Sequence, residues 1–64
     1  MELNRAKIRI ELERLGWSEL ELAKRAKSHR QWLNRIMVGK AGISLKGVEK
    51  IADALGLDPK DLLK

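Results

Sequence analysis

Four side chains between positions 30 and 35 have planar or forked ends able to make paired hydrogen bonds: Arg30, Gln31, Asn34 and Arg35. An arginine offers two parallel N–H donors, whereas glutamine and asparagine offer one donor beside one acceptor. Such ends match the flat, patterned edges of nucleobases. The flanking His29 and Trp32 add a ring donor and a broad apolar surface to the same short stretch. Other chemistry is poorly supplied. The 64 residues include no cysteine and one histidine, so neither a thiolate nucleophile nor a cysteine-based zinc site can be built. No nucleophile with a base and no carboxylate pair in an evident cleft can be assembled, and the serines read as helix caps. The expectation is a protein that is not an enzyme and needs no cofactor, metal or small-molecule substrate.

Charge is distributed to suit a polyanion. The formal charge is +5, and no acid stands between Glu21 and Glu49, while Lys24, Arg25, Lys27, Arg30, Arg35, Lys40 and Lys46 all fall in that interval. A merely solvated surface usually mixes both signs, so this segregation points to phosphate. No apolar run approaches the roughly 20 residues of a membrane span, and the N-terminal MELNRAKIRI is charged where a signal peptide would be apolar. A cytoplasmic protein with no membrane partner is expected.

The elements that must position these residues can be placed from caps and periodicity. Residues 1–64 contain no repeat, low-complexity tract or linker, which predicts one small all-α domain. Asn4 caps a first helix with Ile8, Leu12 and Leu15 on one face, stopped by Gly16. Ser18 opens a second, with Glu21 placed to complete a capping box and Trp17 and Leu22 at the staple positions. Ser28 is the expected cap of a third helix over 28–37, with Leu33, Ile36 and Met37 inward and Gly39 as its stop. At about 100° per residue, Arg30, Gln31, Asn34 and Arg35 then face outward. Ser44 caps a fourth helix with Val48, Ile51, Ala52 and Leu55 inward, ending at Gly56. Gly47 in its first turn weakens it, unless another backbone comes close there. Asp58, Pro59 and Asp61 predict a short fifth helix carrying Leu62 and Leu63.

This order of signals resembles the lambda-repressor-like, Cro-type helix-turn-helix domains, also called XRE-type. The likeness rests on Gly16-Trp17-Ser18 before Glu21-Leu22-Ala23, on Leu33 and Ile36 before Gly39-Lys40, and on Ile43-Ser44-Leu45 leading to Ile51-Ala52 and Leu55-Gly56-Leu57-Asp58-Pro59. It covers nearly the whole chain and implies a compact five-helix domain with a helix-turn-helix at helices two and three. It also implies a double-stranded DNA partner, with the third helix in the major groove. There Arg30, Gln31, Asn34 and Arg35 would read base edges, because each base pair shows a distinct donor and acceptor pattern. His29 and Trp32 would flank them; Trp32 either touches a thymine methyl or covers the edge of the core, and His29 stands nearer the core side. Phosphates would be held by Lys40, the backbone of Gly42 and Ile43, Ser44 and Lys46, and by the N-terminus of the second helix at Ser18. Glu19, where relatives often have glutamine, opposes that last contact.

Three departures carry further expectations. The family turn usually has glycine, a small apolar residue and a serine or threonine, against Lys27, Ser28 and His29 here. Either Lys27 takes positive φ or the turn is reshaped with Ser28 capping one residue early. Many relatives pair a buried arginine on helix one with a glutamate late in helix three, and those positions match Leu12 and Met37. Both halves being apolar looks coordinated, because only a single change strands a buried charge. With the end of the chain after helix five, this fits a trimmed, engineered scaffold as well as a natural repressor. Without a dimer extension the isolated domain is expected to be monomeric, with two copies meeting only on a symmetric site. The competing function is an antitoxin-like or assembly module, which would show an apolar face on helix three or five.

Overall fold

A computed structural model describes residues 2–64. The Asn4 side chain accepts from the Lys7 N–H at 3.1 Å and starts α1 (Arg5–Leu15), which Gly16 ends with φ +69°. Ser18 likewise accepts from Glu21 at 3.2 Å and starts α2 (Glu19–Arg25). The expected capping box is only half formed. Instead of reaching back, the Glu21 carboxylate takes Nε of Arg25 at 2.8 Å, one turn further on.

The turn after α2 settles which of the two expected shapes it takes. Lys27 has φ +56°, its N–H bonds the Lys24 carbonyl at 3.0 Å, and the next N–H, of Ser28, bonds Ala23 at 2.9 Å. This is a Schellman ending with a lysine at the position that favours glycine. In consequence Ser28 does not cap the next helix. Its hydroxyl turns back toward the Ala26 carbonyl at 3.4 Å, and His29 takes the cap position without a side-chain hydrogen bond. Helix α3 is therefore Arg30–Met37, two residues shorter at its start than 28–37. Ser44 accepts from Gly47 at 3.1 Å and starts α4 (Leu45–Leu55), ended by Gly56 at φ +73°.

The expectation of five α-helices fails at the last element, since Pro59–Leu62 is one 3-10 turn and the described residues form four α-helices. The local signals were sound. Asp58 and Asp61 cap each other's backbone, and proline stands where an N–H is not needed. What prevents a longer helix is the next residue, for Leu63 is drawn into extended conformation opposite Leu3. Asn4 donates to the Leu62 carbonyl at 2.7 Å and Lys64 to the Glu2 carbonyl at 2.9 Å, so the two chain ends are laced together.

Ile8, Leu12, Leu22, Leu33, Ile36, Met37, Val48, Ile51, Leu55 and Leu62 meet in one buried cluster, and Leu3 joins them from the N-terminal segment. The coordinated apolar pair lies in it: Leu12 is 7 % and Met37 1 % exposed. At the edge of the cluster the covered carboxylate of Glu11 takes Arg14 at 2.7 Å and Lys7 at 3.7 Å.

Candidate nucleic-acid interface

Burial of Leu33, Ile36 and Met37 turns the opposite side of α3 to solvent, where Arg30, Gln31, Asn34 and Arg35 are all exposed. Together with His29, Trp32 and Ala41 they line one open concavity. Among the described residues neither arginine has a carboxylate within ion-pair distance; the pairs are made by Lys7, Arg14, Arg25 and Lys64. Two cationic forks thus stand with their donors uncommitted beside two amides. Of these four, Asn34 alone has a polar tie among the described residues, its Nδ2 donating to Oε1 of Glu19 at 3.4 Å.

Trp32 and His29 line both this concavity and a second, which adds Lys27, Ser28, Ser44, Lys46, Gly47 and Lys50. Trp32 is half-buried and packed against the core. It fits because of Gly47. A Cβ there would lie 2.9 Å from Cγ1 of Ile43 and 3.2 Å from Cζ2 of Trp32, so the glycine makes room for two side chains rather than for a backbone. Lys50 stands 6.0 Å above the indole ring. Of the expected phosphate holders, Lys46 and Ser44 line this second concavity, with the Ser44 hydroxyl also engaged as a cap. Ile43 is half-buried against the core, while Lys40 and Gly42 are exposed on the loop and line neither concavity. Ser18 is exposed at the start of α2 beside Glu19, and Arg25 is committed to Glu21 and to the Trp17 ring, 4.2 Å from its centroid.

Sequence reasoning missed Lys50, although its spacing of one helical turn from Lys46 puts both on one face of α4. It also missed how α3 is held. Nε of Arg5 donates to the Ile36 carbonyl at 2.7 Å and Nη2 of Arg9 to the Met37 carbonyl at 3.1 Å. These carbonyls stand in the last turn of α3, where Ile36 also accepts from the Gly39 N–H at 3.1 Å, and the two guanidinium charges oppose the helix's negative dipole end. Thus α1 is joined to α3 by charged side-chain donors on backbone carbonyls.

Two helices, α2 and α3, joined by a tight turn, with the second presenting a polar cationic face, define a helix-turn-helix unit. A family model described as helix-turn-helix matches residues 8–62, and the chain belongs to this family, of the XRE type. It is a DNA-binding domain of the transcription-regulator kind, and that family is typically non-enzymatic. The chain is 41 % identical over 54 residues to the control protein C.BamHI of Bacillus amyloliquefaciens, across 84 % of this chain and 67 % of that protein. This likeness to a bacterial protein lends no support to an engineered origin. No solved structure gives a significant match. Among the described residues no helix is long and apolar enough to cross a membrane, and no cluster of potential metal ligands occurs.

Proposed function

We propose that the domain binds duplex DNA in a sequence-specific manner by inserting α3 into the major groove. The observation that carries this is the exposed face of Arg30, Gln31, Asn34 and Arg35 on a helix whose other face is buried. A major groove admits one α-helix, and arginine forks suit guanine O6 and N7 while the amides suit adenine N6 and N7. His29 and the open edge of Trp32 meet the groove wall beside them. One phosphate strand lies along the second concavity, held by Lys46 and Ser44, with Lys40 and the Gly42 and Ile43 backbone closing from the loop. Ser18 contributes least, since Glu19 follows it directly. One copy binds in this way, and two meet only on a symmetric duplex site.

An interaction-module reading needs a contiguous apolar face. Among the described residues the large exposed apolar side chains are instead Ile10 on α1, Leu20 on α2, Val38 just after α3 and Leu45 on α4, each on a different segment. Titration against random and selected duplexes at several salt concentrations tests the proposal and gives the stoichiometry. The logarithm of affinity should fall linearly with the logarithm of salt, by roughly 0.9 per phosphate contacted. Equal affinity for every duplex would leave α3 without a reading role.

A further inference from the structure

Within the proposed reading of DNA by α3, the bond between Glu19 and Asn34 has a consequence for specificity. Glu19 is the first residue of α2, and its carboxylate reaches across to the outward face of α3. It has no cation within ion-pair distance among the described residues. A carboxylate only accepts, so the amide group of Asn34 must turn its nitrogen toward Glu19 and its oxygen away. The asparagine NH2 has two hydrogens. With the hydrogen anti to Oδ1 given to Glu19, the hydrogen beside Oδ1 is left free, and that donor and acceptor pair is the edge that fits adenine N7 and N6.

We infer that Glu19 is a positioning residue for specificity: it fixes the amide of Asn34 in the orientation that reads adenine. The same carboxylate repels phosphate wherever the domain sits on DNA. Glu19 therefore acts twice in one direction, lowering affinity for every duplex while sharpening the response to one base. Glutamine at this position would keep an acceptor for Asn34 and remove the charge, so the two actions are separable.

The test uses the whole chain and a pool of duplexes with a randomised core. Sequences enriched by the parent protein are remade with each adenine in turn replaced by 7-deazaadenine, which removes the N7 acceptor and keeps base pairing. At one adenine the parent should lose roughly tenfold in affinity, and N34A should be indifferent to that replacement. E19A should lose roughly two- to tenfold of the discrimination, the scale of freeing one side chain, while binding random duplex more tightly. E19Q should keep the discrimination and share the gain on random duplex. Thermal unfolding of all three variants identifies a loss of fold, which would lower binding to every duplex. An enriched site at which E19A discriminates as well as the parent overturns this inference alone. A pool in which nothing is enriched overturns the DNA reading by α3 and this inference with it.

Discussion

Positions 12 and 37, where the resemblance implied an arginine–glutamate pair in many relatives, hold Leu12 and Met37. Both side chains lie in the core cluster, so neither carries a charge that must be neutralised. Met37→Glu with Leu12 unchanged should cost about 3–5 kcal/mol, the scale of a buried charge left without its partner. Denaturant midpoints measure this, and an unchanged midpoint would place residue 37 at the surface. Glu11 shows the opposite arrangement, a covered carboxylate that keeps its partners. The hydrogen bond from Arg14 holds its pKa below the ordinary value of 4.5, with the charges of Arg14 and Lys7 adding to that effect against the cost of burial. A lowered folded-state pKa gives stability that is complete above the unfolded value and is lost as pH falls through the folded one. The domain should therefore weaken below about pH 4.5, and Glu11→Gln should show a shallower decline with acid in that window. Identical acid profiles for parent and variant would remove Glu11 from the account. Lys27 shows the limit of residue reading: positive φ was one of two open shapes, and only the pair of hydrogen bonds from Lys27 and Ser28 decides between them.

At the scale of elements, caps were legible because they are local. Asn4, Ser18 and Ser44 each bond the backbone three residues on, as their types and spacing require. Long-range partners were not legible. Nothing in periodicity says that Arg5 and Arg9 reach the last carbonyls of α3, or that Leu63 pairs with Leu3 and so cuts the last helix to a 3-10 turn. The expected start of α3 was wrong for a related reason, since Ser28 is consumed by the ending of α2. Gly47 was legible as an oddity but not as a solution. Helix propensity alone gives alanine an advantage of about 0.5–1 kcal/mol there. The methyl group would press on Ile43 and Trp32, and overpacking of this kind costs about 1–3 kcal/mol. Gly47→Ala should therefore lower the thermal midpoint, against the propensity. A raised midpoint would mean that the Trp32 seat between α3 and α4 yields freely.

Over the whole molecule, composition and charge order carried the functional class before any coordinate did, because the acid-free interval from Glu21 to Glu49 contains the turn, α3 and the start of α4. The fold adds convergence. It brings Lys27 from the turn and Lys46 and Lys50 from α4 to one concavity, and sets the four polar residues of α3 along the other. On the proposed function, phosphate holding and base reading fall to different concavities, and the two should respond differently to sequence and salt. The most direct test compares the parent with a variant carrying alanine at Arg30, Gln31, Asn34 and Arg35, each titrated against a selected duplex and a random one. The account predicts that the variant loses most of the difference between the two duplexes while retaining salt-dependent binding to both through the lysines. A variant that still prefers the selected duplex as strongly as the parent would contradict the central claim that α3 is the reading helix.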